Sequence, residues 1–269
     1  MLSVTIAIIC GVGTALALYF ADVFGYGWSA FFGVLGFGSV QMAIGFILQK
    51  KVKVAMKAVE TSLMEGQKAL QAKTQRWQMR PPGSIQEAQN ELSRDQRKFV
   101  AEALALTEPL HKFDNWVPMM KRQIATAQFQ LYWMIKEYRK CDQLMDKALF
   151  IDPTMYAMKM ARFHTLGKPT DEIRKVYDKG RRRLRYNQNV LIAAAWTWIL
   201  VQRGEIDEAF KALNEALKNS DNETLKANRE ALANNRVAHF SNTNIGDTWW
   251  ALGLEEPKVK MQRQRMQWR

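Results

Sequence analysis

The segment EYRKCDQLMDKALFIDP, residues 137–153, aligns with a later segment of the chain, EIDEAFKALNEALKNSD, residues 205–221. The offset is 68 residues, and it pairs Tyr138 with Ile206, Cys141 with Ala209, Met145 with Leu213 and Ala148 with Ala216. Small and larger apolar residues therefore recur at one helical spacing, which predicts two copies of an amphipathic helix. From residue 84 onward the pattern is helical, without strand-like alternation and with breaks at TEP, IDP, LGKPT and RGE, so we expect an all-α fold.

The two copies resemble the second helix of the tetratricopeptide repeat family, whose period of about 34 residues is half this offset. Cys141 and Ala148 match the two small positions of that helix, Met145 the larger apolar one and Pro153 the closing proline. RGEIDEA, residues 203–209, matches the family's turn between helices. The resemblance implies an α-solenoid over about residues 118–257, with a further helical pair before it.

Other parts of the resemblance are weaker. GKPTDEIRKVYDKG, residues 167–180, is a displaced middle copy with Ile173 and Gly180 at the small positions and Tyr177 at the large one. The early Trp position of the first helix falls on Ala125 and Ala193. A last pair is expected to be capped by Trp249 and Trp250, so the predicted packing is repeat-like but irregular.

In the family, the first helices line a concave surface that binds peptides or partner domains. In this register, the resemblance assigns that surface to Gln123, Thr126, Gln130 and Trp133 in one repeat and Leu191, Ala194, Trp198 and Val201 in the later one. The Lys, Asn and Arg set of carboxylate-clamp members is absent from these positions. We therefore expect other proteins as partners, but not acidic C-terminal tails.

The first 49 residues differ sharply from the rest. LSVTIAIICGVGTALALYF (residues 2–20) and WSAFFGVLGFGSVQMAIGFIL (residues 28–48) are uncharged runs of 19 and 21 residues, each long enough to cross a hydrocarbon core of about 30 Å. The stretch between the two runs, residues 21–27, holds Asp22, the single charged residue before residue 50. We expect residues 1–49 to form a two-span transmembrane hairpin; a cleaved signal peptide is the alternative for the first run, although it lacks a positive start.

Lys50, Lys51, Lys53 and Lys57 follow the second run directly. Such clusters stay on the cytoplasmic side of a membrane, so both termini and the repeat domain are expected in the cytoplasm. The small residues Gly11, Gly13, Ala15, Ala17, Ser29 and Gly33 recur at four-residue spacing. We interpret them as contacts within the hairpin, with dimerisation as the alternative.

Residues 50–80 are predicted to form a basic stalk helix. Its apolar stripe runs at alternating three- and four-residue spacing from Val52 to Trp77, with Gly66 and Lys73 interrupting it. The interruptions favour packing on the following domain over a continuous coiled coil. RPPGS, residues 80–84, ends this helix, and Ser84 is placed to cap the next one ahead of Glu87.

The chain carries 39 basic and 26 acidic residues, and all but Asp22 follow residue 49. The dense patch Arg181, Arg182, Arg183 and Arg185, like the lysine cluster, is expected to meet anionic lipid or an acidic partner, or else to be a solvated helix end. No nucleic-acid-binding motif accompanies it. The basic tail, residues 258–269, either contacts headgroups or a partner or is a solvated end.

The chain has three widely separated histidines, two cysteines that form no CxxC motif, and no phosphate-binding loop after a strand. We therefore expect no enzyme activity, no metal and no cofactor. The resulting hypothesis is a membrane-anchored adaptor or scaffold: hairpin 1–49, stalk 50–80, repeat domain 81–257 and tail 258–269. The alternative is a structural subunit of a larger membrane assembly, held by its hairpin. Electrostatic binding to membranes as the main role is a third hypothesis.

Overall fold

The computed structural model describes residues 2–22, 25–79, 83–182 and 185–256. All regular structure in these ranges is helical, which confirms the predicted all-α class. The α-helices are α1 Leu2–Phe20, α2 Tyr26–Met79, α3 Ile85–Thr107, α4 Met120–Met134, α5 Tyr138–Leu144, α6 Pro153–Thr165, α7 Thr170–Arg181, α8 Val190–Gln202, α9 Ile206–Leu217, α10 Glu223–Ala233 and α11 Asp247–Trp250. Short 3₁₀ turns cover Glu108–Phe113, Val237–His239 and Thr243–Ile245.

The chain forms two compact units, Met1–Leu149 and Phe150–Arg269. The first contains α1 to α5 and the second contains α6 to α11. The boundary expected between hairpin and stalk falls inside α2, because that helix continues from the second apolar run through the basic stretch. At about 1.5 Å per residue, a helix of 54 residues is about 80 Å long.

In the first unit, α1 folds back along the first half of α2. The rings of Tyr19 and Tyr26 meet edge to face at the connecting turn, with centroids 6.5 Å apart. At the opposite end of α1, the Leu2 amide donates to the Asn115 carbonyl at 2.7 Å, and the Ser3 hydroxyl donates to the Trp116 carbonyl at 2.7 Å. Both α1 and α2 are long and apolar enough to cross a membrane.

The second half of α2 packs against α3. Val59 is buried in a cluster with Val100 and Ala103, and Leu63 lies beside it. Farther along, Lys73 bridges the carboxylates of Glu91 and Asp95. The part of the expected stalk stripe around Val59 and Leu63 is therefore covered by α3. The predicted cap is also confirmed, since the Ser84 hydroxyl oxygen accepts from the Glu87 amide at 3.1 Å.

Residues 108–119, which we call the connector, join α3 to α4. Leu110 and Phe113 of the connector form a buried cluster with Met120 and Ile124 at the start of α4. The cluster rests on the turns of α2 that contain Leu48, Val52, Ala55 and Met56. The connector is thereby fixed beside the point where α2 changes from apolar to basic.

In the second unit, consecutive helices pack on one another from α6 to α10. The residues assigned to the small and large repeat positions are buried in both units: Cys141, Met145, Ala148, Ile173, Tyr177, Gly180, Ala209, Leu213 and Ala216. A Cβ at Gly180 would contact Ile192 Cδ1 and would lie 3.0 Å from Tyr156 Cγ, so any larger residue there would require these side chains to shift. One departure is α5, which ends at Leu144, before Met145 and Ala148.

The same turn closes four helices. In each, an amide donates to the carbonyl five residues earlier: Glu137 to Tyr132 (3.0 Å), Lys168 to Phe163 (2.9 Å), Glu205 to Leu200 (2.9 Å) and Arg236 to Ala231 (2.7 Å). The preceding residue always has positive φ: Lys136 (59°), Gly167 (69°), Gly204 (77°) and Asn235 (54°). This 6→1 bond with a left-handed residue is the Schellman arrangement, and it recurs at the ends of α4, α6, α8 and α10.

Candidate functional site

The predicted small residues of the hairpin fall into two groups. A Cβ at Gly11 would lie 2.8 Å from the Gly33 carbonyl oxygen, and one at Gly33 would lie 2.7 Å from Ala15 Cβ. These three residues therefore line the contact between α1 and α2, and Ser29 is buried as well. Gly13 has nothing within 4 Å of an added Cβ, and Ala17 is exposed, so neither takes part in that contact.

The pattern missed three further residues of this contact, Phe37, Thr14 and Gly36. Phe37 Cβ lies 2.8 Å from the position of a Cβ on Gly11, and Thr14 Oγ1 lies 3.1 Å from one on Gly36. Neither pair shares the four-residue spacing on which the prediction relied. A systematic search for glycines facing bulkier residues across a hairpin could have found Gly36.

The lysine cluster lies on α2 just beyond the apolar run. Lys50, Lys51, Lys53 and Lys57 are all exposed. The structure places Lys112 of the connector beside Lys50 and Lys51, around a shared groove. Lys112 carried no signal in the sequence, because it is an isolated cation in a loop.

The partner surface expected on α4 is only partly exposed. Gln123 and Gln130 are exposed, and Thr126 is half-buried with its hydroxyl bonded to the Leu149 amide at 2.7 Å. Trp133 is 5 % exposed, stacked on Phe129 with ring centroids 5.7 Å apart. Trp133 therefore packs within the first unit instead of facing a groove.

On α8 the expected surface is largely enclosed. Leu191 and Val201 are half-buried, Trp198 is 8 % exposed, and Ala194 is fully buried with its carbonyl accepting from Asn242 Nδ2 at 3.2 Å. The sequence VLIAAAWTWILVQ is apolar around its whole circumference, which is typical of a helix surrounded by protein. The expectation that Ala194 and Trp198 line an open concave face is thus wrong.

What covers α8 is the end of the second unit. Glu255 accepts from Nε1 of Trp198 at 2.8 Å and from Nε1 of Trp249 at 2.7 Å, one indole on each carboxylate oxygen. Trp249 is fully buried, as expected of a capping residue, whereas Trp250 is half-buried. Nearby, Asn228 Nδ2 donates to Asn242 Oδ1 at 2.8 Å, which fixes the loop after α10.

The arginine patch is also divided. Arg181 pairs with Glu215 and with Asp178, and the hydrogen bond that its guanidinium donates to Glu215 raises the pKa of Arg181. Burial raises the pKa of the neighbouring Tyr177 to about 12. Arg182 and Arg185 are exposed, and Arg183 and the tail 258–269 lie outside the described residues. Arg181 therefore has a structural partner, while Arg182 and Arg185 keep free surface.

Among the described residues, no group of three or more His, Cys, Asp or Glu side chains is arranged to hold a metal ion. Cys141 is buried and Cys10 is exposed on α1, and neither forms a disulfide within the described part of the chain. In comparisons with protein-family models, curated proteins and solved structures, nothing matches this chain.

Proposed function

We propose that the chain is a membrane-anchored adaptor, in which α1 and the first part of α2 span a bilayer and tetratricopeptide-like helices recruit or organise partner proteins beside it. The observation that supports this most directly is the continuity of α2. One helix runs from the apolar segment into a packed helical body, so that body would be held at a fixed distance from the membrane. Tethering raises the effective concentration of any binding surface there, which makes weak contacts useful.

The orientation in this proposal is cytoplasmic for both termini and for the helical body. Four exposed lysines follow the apolar run within two turns, whereas the far turn of the hairpin holds Asp22. This is the charge asymmetry of the positive-inside rule. Labelling single introduced cysteines at Asp22 and at Lys53 in sealed vesicles tests it, since a membrane-impermeant reagent should reach only one of the two from a given side. Cys10 and Cys141 are first replaced by serine and alanine.

The repeat-like part of the proposal is supported by the buried small positions and by the four equivalent turns described above. With Trp133, Ala194 and Trp198 buried, the exposed candidates for partner binding are Gln123 and Gln130 on α4. Lys121 and Arg122 lie beside them and are exposed too. The surface is therefore polar and cationic, which suits a polar or acidic partner segment.

The experiment must keep α2 intact beyond Leu48. A fragment starting at residue 81 would remove the helix that covers Val100, Ala103, Leu110 and Phe113. We would instead exchange residues 2–47 for an unrelated transmembrane hairpin and compare stoichiometric partners by quantitative mass spectrometry. An adaptor keeps its partner after the exchange and loses it in the Gln123→Glu, Gln130→Glu double variant.

One observation favours the second candidate, a structural subunit held by its hairpin. Ile8, Val12, Val34 and Phe37 line an apolar groove around Gly11 and Gly33, on the surface of the hairpin. Another transmembrane helix could occupy this groove. If the exchange of residues 2–47 removes the partner and the α4 double variant retains it, this candidate replaces the adaptor.

A further inference from the structure

A groove runs along one face of α2 across the change from apolar to basic sequence. Its helical wall consists of Phe46, Ile47, Lys50, Lys51, Val54, Ala55 and Ala58, and its other wall is Lys112 and Phe113 of the connector. Successive α2 residues in this set are one or three positions apart, so they share a face of the helix. Apolar and cationic side chains are therefore combined in a single groove.

The large apolar side chains of the groove are mostly exposed. Phe46 is 74 % exposed, Ile47 55 % and Val54 65 %. Phe46 and Ile47 belong to the last turn of the apolar run, and Val54 lies about 12 Å farther along the helix at about 1.5 Å per residue. An apolar strip thus continues past the first lysines, where headgroups would lie if α2 spans a bilayer.

The lysines of the groove are held by α2 on one wall and by the connector on the other. Lys50 and Lys51 project from a continuous helix, and Lys112 lies one residue before Phe113, which is buried in the cluster with Leu110. Lys112 Nζ is 5.1 Å from the centroid of the Phe113 ring. Asp114, the nearby acid of the connector, already accepts from His111 Nδ1 at 3.0 Å. The groove itself is thus lined by three lysines and no acid.

We propose that this groove binds an anionic phospholipid, with the headgroup phosphate among Lys50, Lys51 and Lys112 and an acyl chain along Phe46 and Ile47. The inference rests on the membrane insertion proposed above and adds a defined lipid site to it. A phospholipid is the occupant with an anionic end and a hydrocarbon end in the order that the groove offers. A nucleotide has an anionic part but no hydrocarbon chain to lie along Phe46 and Ile47.

The test uses the full-length protein in mild detergent with equal amounts of phosphatidylglycerol and phosphatidylcholine, and native mass spectrometry counts the lipids retained. Lys112→Gln is the informative variant, and the Lys50→Gln, Lys51→Gln double variant reports on the other wall. Lys53→Gln with Lys57→Gln is the matched control, since both residues are exposed on the same turns of α2 without lining the groove. Lys112→Arg keeps the charge.

We expect the wild type to prefer phosphatidylglycerol and Lys112→Gln to reduce its retention about fivefold, the effect of about one cation at a membrane surface. Lys112→Arg and the Lys53, Lys57 control should retain it. Equal loss in that control would mean diffuse attraction and overturn the site, as would an unchanged Lys112→Gln. Displacement of the lipid by glycerol phosphate alone would also overturn it, because the chain contacts would then contribute nothing.

Alkaline extraction of proteoliposomes separates this inference from the proposed function. If wild-type protein is extracted as a peripheral protein, membrane insertion and the lipid site both fail. If it remains inserted while Lys112→Gln leaves lipid preference unchanged, only the lipid site fails. Lys112 is exposed, so its substitution should leave the helical circular dichroism spectrum unchanged.

Discussion

The indole nitrogen of Trp198 donates a hydrogen bond of 2.8 Å to Oε1 of Glu255, a residue at the very end of the described chain. Oε2 of the same carboxylate accepts from Trp249. One acidic side chain therefore fastens the last segment onto α8. Since Trp249 is fully buried, its N–H would lose its acceptor without that carboxylate.

Replacing Glu255 by alanine should destabilise the second unit by about 2 kcal/mol, because two hydrogen bonds to a charged acceptor are lost and a buried donor is left unpaired. Urea unfolding of the full-length protein in mild detergent, followed by tryptophan fluorescence, measures this. Glu256→Ala is the control, since Glu256 is exposed. Equal destabilisation by both variants would show that the indole contacts contribute nothing.

At Gly66, α2 closely approaches α3. A Cβ there would lie 2.7 Å from Cγ and 2.8 Å from Cβ of Phe99, atoms that cannot move away without shifting the ring and its helix. Gly66→Ala should therefore lower stability by about 1–3 kcal/mol, despite the better helix propensity of alanine. Thermal unfolding measured by circular dichroism at the helix band reports the effect.

Gln67→Ala provides the comparison for Gly66→Ala, because Gln67 is exposed on the same helix and reports propensity alone. Adding Phe99→Leu to Gly66→Ala should recover part of the loss by making room for the methyl group. A Gly66→Ala variant as stable as Gln67→Ala would contradict the close approach.

Gly11 and Gly13 on α1 form a matched pair for testing the hairpin. Gly11→Val would place a methyl-bearing carbon against the Gly33 carbonyl and Phe37, whereas Gly13→Val projects into open space. We expect Gly11→Val to destabilise the α1–α2 contact by about 1–3 kcal/mol and Gly13→Val to leave it intact. Unfolding by increasing sodium dodecyl sulfate in mixed micelles, with a fluorophore pair on the two helices, measures the contact.

If instead Gly13→Val weakens the contact and Gly11→Val does not, the helices would have to pack through the opposite face of α1. If Gly13→Val changes only the oligomeric state of the protein in detergent, Gly13 and Ala17 would contribute to dimerisation, the alternative interpretation. In that case the intramolecular packing through Gly11 and Gly33 would be unaffected.

The local spacing of residue types predicted which residues pack between helices better than it predicted which residues form an exposed surface. The small residues of the repeat positions are buried as expected: Cys141, Ala148, Ala209 and Ala216. Two helices approach closely only where side chains are small, so the residue type itself indicates such a contact. Lys73 interrupts the apolar stripe of α2 without exposing it. Its partners Glu91 and Asp95 lie one helical turn apart on α3, and their hydrogen bonds raise its pKa.

Whether a helix face is exposed depends on residues that are distant in the sequence, and the sequence-based prediction was wrong about such a face. Trp198 was expected to face a groove because its register matches a first helix, but Glu255 and Trp249 cover it. The all-apolar sequence of α8 was a usable sign of enclosure. Lys112 joins Lys50 and Lys51 only through the fold of the connector, for which the sequence has no periodic signal.

The ring of His164 on α6 lies edge to face with that of Trp198, with ring centroids 5.5 Å apart. Burial, and secondarily the charge of Arg203, lower the pKa of His164. The unfolded chain therefore takes up a proton at higher pH than the folded one. The stability contributed by neutral His164 is complete above its unfolded pKa of about 6.5 and is lost as the pH falls through the folded pKa.

We expect the unfolding temperature of the wild type to fall on acidification below about pH 6.5. His164→Phe should flatten that fall, while the same change at the exposed His239 should not. Carboxylates titrate in all three proteins, so the difference between the curves isolates His164. Parallel curves for the wild type and His164→Phe would mean that His164 is equally ready to accept a proton in the folded and unfolded chain.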